Sequence, residues 1–357
     1  MQAFTTNHWC YLRGHPPHCS AVLKSTPSDF QVTEIPSYEL SGEGEHIYLW
    51  LEKENLNTAF VAEQLARFCK LPLRAVTYAG RKDKFALTYQ YFGIHSPGNK
   101  QYEWQKFSLE GVKILSARRH NKKLRTGSLK GNRFTITLRN ISAPEELESA
   151  LKYVKQHGVP NYFGEQRFGN NNSNLSLAQK MIEGETIRNR NKRSMCISAM
   201  RSWLFNEFVS QRIAKELYNS PVEGDLMILS GNNSFFKYKH EDVTIKNRLL
   251  CNDIQISAPM WGTGTLASAG EIYELESNLA RQFQSVSSQL EALGLKQERR
   301  AIHLQPQNMS WSINNEQAKI EFELSSGCYA TSVLRECVIT TPISTQSRNE
   351  HNENTAE

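Results

Sequence analysis

Apolar positions along the chain change period several times, and each change marks an element. Phe60, Val61, Leu65 and Phe68 recur at helical spacing, with Asn57 or Thr58 able to cap them, so a helix is predicted over 57–68. Pro72 enforces a stop soon after. Phe30, Val32 and Ile35 suggest an extended segment ending at Pro36, and His46–Glu52 is aromatic and β-branched enough for a strand. Strands are also predicted over Tyr89–Ile94 and Phe134–Arg139. Pro144–His157 reads as a helix, with Glu at its start and Lys near its end as the macrodipole favours. The segment around Asp83 therefore lies in a loop between a helix and a strand.

Gly158–Pro160 breaks this pattern, and the chain changes character. An Asn-rich turn and a helix near 175–182 come first. Ile197, Met200, Leu204, Phe208, Val209, Ile213 and Leu217 then repeat at three- and four-residue spacing, predicting a long helix over Met195–Tyr218. Residues 222–270 are β- and turn-rich, and Glu276–Leu293 is again helical. From about 305 the pattern returns to strands, with Ile320–Leu324, Gly327–Ser332 and the segment to Ile339 in succession. Residues 341–357 are polar without aromatics and are expected to be a disordered tail.

Composition narrows the function classes. With 39% hydrophobic and 22% charged residues, the 357-residue chain fits a soluble globular protein of two ordinary domains or one large one. No apolar run is long enough to cross a bilayer, and the N-terminus lacks a signal-peptide pattern, so a cytoplasmic protein without a membrane partner is expected. Seven widely spaced cysteines without a Cys-x-x-Cys pair argue against a disulfide framework and a zinc site. Neither a metal site, a Walker loop nor a dinucleotide glycine loop is evident, so metal, nucleotide and nicotinamide chemistry all lose weight. A monomer is the default for a chain without a free amphipathic seam.

Charge is uneven. The net charge is +6, but residues 113–133 carry eight Lys/Arg and no acid. A solvated face normally mixes signs, so this run suggests phosphate contacts, the bland alternative being a basic surface loop. Gly127 and Gly131 make it a flexible hairpin or loop, and a second basic cluster spans 188–193. Asp83 sits between Lys82 and Lys84. Such an acid can be a nucleophile, an anion-pairing strut or half of a surface salt bridge.

Six segments carry a resemblance. They are Gly80-x-Lys82-Asp83-Lys84-x-Ala86-x-Thr88-x-Gln90; Lys24 with Pro27-Ser-Asp-Phe30-x-Val32-x-Glu34; and Gly127-x-Leu-x-Gly131-Asn132-x-Phe134. Pro160–Gly169, Arg201–Asn206 and Gly327–Glu336 follow in order. Together they resemble the tRNA pseudouridine synthase D (TruD) family over residues 20–340. The resemblance implies an α+β fold: a pseudouridine-synthase catalytic domain with a mixed, mostly antiparallel sheet, interrupted by an inserted α/β TRUD domain. Its expected division is 1–157 plus 309–340 for the catalytic domain and 158–308 for the insertion.

The implied activity is isomerisation of a tRNA uridine, at position 13 in the family, to pseudouridine. It needs no redox step and no outside energy, so no cofactor is expected, and the base must leave the RNA stack. Asp83 matches the catalytic acid, acting on the ribose C1′, on C6 of the uracil, or within a glycal route. Phe134 matches the ring that stacks on the flipped base, although alone it would read as a core strand residue. Asn132 matches a group that holds the Asp83 carboxylate or the uracil edge, and equally suits a turn after Gly131. Phe30 and Tyr329 match positions lining the substrate site, with Tyr329 adding a hydroxyl to the Phe the family pattern has. Lys24 is a candidate cation for Asp83 or a phosphate, beside Lys82 and Lys84. Arg118, Arg119, Lys122, Lys123, Arg125 and Lys130 are expected on the tRNA backbone. The alternatives are an RNA-binding protein or RNA chaperone of this fold, and a nucleoside hydrolase working through Asp83.

Overall fold

A computed structural model describes residues 4–98, 100–232, 234–240 and 243–342. In chain order, the first elements are β1 (Ser20–Leu23), β2 (Phe30–Pro36), β3 (His46–Glu54), α1 (Thr58–Cys69), β4 (Val76–Tyr78), β5 (Leu87–His95), β6 (Val112–His120), β7 (Leu129–Arg139) and α2 (Pro144–His157). Then come β8 (Val159–Pro160), α3 (Ser173–Ile182), α4 (Arg190–Ala214), β9 (Leu226–Leu229), β10 (Phe235–Lys237), α5 (Thr244–Leu250) and β11 (Ile254–Met260). The chain closes with α6 (Gly270–Gln282), α7 (Gln284–Ala292), β12 (Glu298–Ala301), β13 (His303–Leu304), β14 (Gln307–Asn314), β15 (Gln317–Ser325), α8 (Ala330–Cys337) and β16 (Ile339–Pro342). No described helix is long and apolar enough to cross a membrane.

The chain divides into two compact units. One holds Pro17–Lys155, Pro306–Cys328 and the chain from Cys337 onward. Its sheet runs β14-β15-β7-β2-β5-β3-β6, with β1, β16 and β4 attached to the side. Among the described residues of this sheet, only β2–β5 and β1–β16 pair in parallel, so it is mixed and mostly antiparallel. Side chains alternate between faces, so Cα partners share a face. Leu49 and Leu51 of β3, Phe92 and Ile94 of β5, and Val61 and Leu65 of α1 form one buried cluster. Three strands of the sheet carry buried polar residues on this same inward face: Lys53 on β3, Thr88 and Gln90 on β5, and Glu34 on β2.

The other unit comprises Met1–Pro16, Gln156–Gln305 and Tyr329–Glu336. A four-stranded sheet, β10-β9-β11-β12, packs with α4, and Met200, Leu204, Phe208 and Val209 of that helix lie in its core. The N-terminal segment belongs here because Trp9 stacks on Tyr162 and donates to Glu207 Oε1 at 2.7 Å. Helix α8 belongs here because Glu336 accepts the Leu12 amide and Ser332 donates to Tyr162 O. The sequence division had joined both segments, 1–16 and 329–336, to the catalytic domain.

Other boundaries differ from the sequence pattern for local reasons. Helix α4 begins at Arg190 because Asn189 caps it, accepting from the Lys192 amide at 3.0 Å. The helix expected over 276–293 is two, broken at Phe283 with ψ +43°. Residues 330–337 form a helix where strands were expected. The basic run is mostly strand, in β6 and β7, with only 121–128 as loop. Strand β16 takes the first two residues of the expected tail, and the rest lies outside the described residues. All seven cysteines are free thiols.

Arg212 and Asp225 are the most deeply buried ion pair of this second unit, 1% and 0% exposed, with bonds of 2.8 and 3.0 Å. Asp225 also accepts the Val222 amide. Removing one partner leaves a buried charge, so Arg212→Met should cost about 3–5 kcal/mol in urea denaturation followed by tryptophan fluorescence. An unchanged midpoint would contradict that.

Candidate active site

The polar inward positions of the large sheet converge where β4 hands over to β5. Gly80, Lys82 and Asp83 lie in that connection, and its tethers are specific. Thr58, at the start of α1, accepts the Lys82 amide at 3.0 Å and donates to Gln90 Oε1 at 3.2 Å. Gln90 Nε2 donates in turn to Gly80 O at 3.3 Å. Thr88 Oγ1 donates to Lys53 O. Thr58 and the motif's Gln90 thus hold the turn that presents Asp83, while the motif's Thr88 ties β5 to β3.

Three lysines surround this turn, each with a different partner. Lys24 Nζ pairs with Asp83 Oδ2 at 2.7 Å. It also lies 4.1 Å above the Phe30 ring, a cation–π contact. Lys24 adopts a left-handed backbone, φ +61°, which turns its side chain out of the run of β1. Lys82 Nζ instead pairs with Glu34 Oε1 at 2.6 Å, both side chains being buried. Glu34 Oε2 accepts the Tyr91 amide at 3.0 Å. Lys84 is exposed. Among the three cations the sequence left open, Lys24 is the one on the Asp83 carboxylate.

Lys53 escaped the sequence reading. Its side chain is fully buried, and Nζ donates to Leu56 O at 2.6 Å and to Asp83 O at 3.1 Å. It therefore holds the backbone of Asp83 while Lys24 holds the carboxylate. Burial pushes the Lys53 ammonium down to about 8, with the Asp83 charge opposing and Lys82 adding to the fall. Its signal was present in β3: Ile47, Leu49, Leu51 and Lys53 are successive inward positions, and only the last is charged. Glu34 follows Phe30 and Val32 on β2 in the same way.

Phe30, Phe134 and Phe322 form a row on this face. Phe30 and Phe134 meet edge to face at 6.2 Å, and Phe134 stacks on Phe322 at 5.5 Å. All three are buried, with Phe134 7% exposed. Asn132 lies beside the row, its Cα partnering Glu34 on β2 and Leu324 on β15. Its Oδ1 is buried with no hydrogen-bond partner, an acceptor held ready for a donor. Gly131 precedes it because a Cβ there would meet Leu324 O at 2.2 Å.

Lys24, Phe30, Asp83, Asn132 and Phe134 are thus contiguous in one unit. Tyr329 belongs to the other, where its hydroxyl accepts from Arg167 and its ring lies 5.9 Å from Phe163. The expected backbone contacts also separate. Arg118, Lys122, Lys123, Arg125 and Lys130 are exposed, but Arg119 spends its guanidinium on Gly44 O and Lys100 O. Arg190, Lys192 and Arg193 are exposed in the first turn of α4, where the helix dipole opposes cations.

The family model for tRNA pseudouridine synthase D (TruD) matches residues 6–189 and 185–337. A Pseudoalteromonas atlantica protein called tRNA pseudouridine synthase D is 52% identical over 92% of this chain and 95% of its own. A Shewanella oneidensis protein of the same name is 45% identical over 92% and 88%. A crystal structure of a Methanosarcina mazei protein, 23% identical, has the same fold, with TM-score 0.71 over 95% of this chain and 96% of that one. The model match and these identities agree over nearly the whole length, so the chain belongs to the tRNA pseudouridine synthase D family.

Proposed function

We propose that the chain converts a uridine of tRNA, at position 13 as in its family, to pseudouridine, with Asp83 as the catalytic acid group. In the reaction, the C1′–N1 bond breaks and a C1′–C5 bond forms within the same nucleotide. C5 loses a proton and N1 gains one, so atoms and electrons balance without an oxidant.

The observation that carries the assignment is the contrast among three carboxylates. Glu34 is 4% exposed and spent on Lys82 and the Tyr91 amide. Asp29 is 2% exposed and bound by Arg139 at 2.7 Å. Burial alone would raise its carboxyl, but Arg139 and the Thr26 amide bring it below the ordinary carboxylate value. Asp83 keeps 28% of its side chain open to solvent while Lys24 aims one oxygen and Lys53 fixes the backbone. It is the carboxylate that a flipped base or its ribose can reach.

Asn132 Oδ1 fits the uracil N3–H, the donor a uracil edge presents. Phe30 and Phe134 supply apolar wall. The exposed cations 118–130 and 188–193 take phosphates. A tRNA substrate places the reaction in the cytoplasm. One chain carries every residue named, so the proposed working unit is a monomer.

Tritium release from tRNA labelled as [5-³H]uridine tests the reading. Wild type should release tritium, and Asp83→Asn should release it at least about a thousandfold more slowly. Equal rates would remove Asp83 from the mechanism. Bound tRNA without release by wild type would instead mark an RNA-binding protein, and free uracil a hydrolase.

Lys53 yields a separate expectation. Below pH about 8 it is protonated in both folded and unfolded chains, and the cost of burying its charge is fully present. Between about 8 and the ordinary 10.5 the unfolded chain keeps a proton that the native chain has released, so stability rises with pH. In paired denaturation curves from pH 7 to 10.5, wild type should therefore gain stability relative to Lys53→Met. A constant difference would show that the burial cost is absent.

A further inference from the structure

The face of the large sheet opposite Lys53 and Asn132 carries a cavity of about 860 Å³, within the size range of ligand pockets. It lies between the β2–β3 connection and the 121–128 loop. Tyr38, Tyr48, His120, Lys122, Lys123 and Arg125 line it. The aromatic part is built. Tyr38 stacks on His120 at 5.5 Å and 16°, and Tyr48 stands perpendicular to both at 5.7 and 5.1 Å. Tyr48 and His120 are buried, while Tyr38 is half-buried. The Ser41 amide donates to His120 Nδ1 at 3.1 Å, so that nitrogen is an acceptor and the ring proton sits on Nε2. Tyr48 Oη donates to Lys122 O at 3.1 Å, which fixes the loop over the rings.

The floor and the rim differ in charge. Burial, with Lys122 adding to it, lowers the His120 imidazolium below its ordinary 6.5. Burial, with Tyr48 and Glu34 adding to it, keeps the Tyr38 phenol protonated far above neutral pH. The floor is therefore neutral and aromatic. The rim holds exposed Lys122, Lys123 and Arg125 against one exposed acid, Glu39. A flat, neutral π-surface bordered by cations has the complementarity of one nucleotide, its base on the rings and its phosphate on the rim.

We infer that this cavity is a second nucleotide subsite for the substrate RNA, which takes an unpaired base on Tyr38 and its phosphate on Lys122, Lys123 and Arg125. The inference rests on the tRNA reading of the first site. It adds a distinct place on the protein where the RNA is held.

Three binding measurements on the full chain test it, and none needs turnover. Tyr38→Leu should raise the Kd for tRNA about tenfold, and Tyr38→Phe, which keeps the ring, should restore it. Replacing Lys122 and Lys123 by Gln should lower the slope of log K against log salt by about two. In Tyr38→Trp, tRNA should quench the new indole, and uridine 5′-monophosphate should do so only weakly and be displaced by tRNA. Wild-type affinity in Tyr38→Leu, or mononucleotide quenching that tRNA does not displace, would overturn the subsite. Such a result beside normal tritium release would leave the Asp83 assignment standing. Retained Tyr38 effects without tritium release would do the reverse.

Discussion

The register of β7 against its two neighbours is the constraint on which the site depends. Because side chains alternate, a slip of one residue would turn Asn132 and Phe134 to the other face. It would also bring Arg133 and Thr135 to bear on the buried side. Pairing holds β7 to β2 through Phe30↔Ile136, Val32↔Phe134 and Glu34↔Asn132, and to β15 through nine consecutive partners from Gln317 to Ser325. Gly131 permits the close approach of Leu324 O at the end of that ladder. The Gly-Asn-x-Phe motif therefore has a physical division of labour. Gly sets the backbone distance, and Asn and Phe, two apart, use the same face.

Charge on that face is resolved by giving each cation its own partners. Lys82 neutralises Glu34 in the dry interior, which a lone carboxylate there would require. Lys53 has no side-chain carboxylate among its described bonds and binds two carbonyls. Lys24, on a partly solvated edge, is left for Asp83. If Lys82 had served Asp83, Glu34 would have been a buried charge without a counter-ion. The pairing of the acid pocket follows from the pairing beneath it.

Much of this was legible in the sequence. Period-2 and period-3.6 patterns placed β3, α1, β5 and α2 close to their observed bounds, and the six motifs placed Asp83, Asn132, Phe134 and Phe30 together. What stayed hidden was long-range. Lys24 is 59 residues from Asp83, whereas Lys82 and Lys84 adjoin it. Adjacency in sequence favours the wrong lysines, because flanking side chains diverge where the backbone is extended or turning. Lys53 and Glu34 were readable as charges at inward strand positions, but only once the strands' inward faces had been chosen. The assignment of 1–16 and 329–336 to the second unit turned on Trp9 and Glu336, whose partners lie 198 and 324 residues away. No local pattern encodes contacts of that span.

The 121–128 loop is tied directly to the segment that leads to Asp83. The Gly127 amide, in a residue with φ +82°, donates to Ala79 O at 2.8 Å. Leu124, Ala79 and Tyr48 form one small buried cluster. The loop that carries Lys122, Lys123 and Arg125 is therefore bonded and packed to the chain four residues before Asp83. Enzymes use interactions with remote parts of a substrate to fix the reacting groups, since misplacement by about 1 Å can cost about a hundredfold in rate. A phosphate or base drawn onto the 121–128 loop would act on Ala79 through a hydrogen bond and a shared apolar contact. The Asp83 turn is restrained independently by Thr58, Gln90 and Lys53. The proposed grip on the RNA and the aim of the carboxylate would thus be two constraints on the same short segment, one from each face of the sheet.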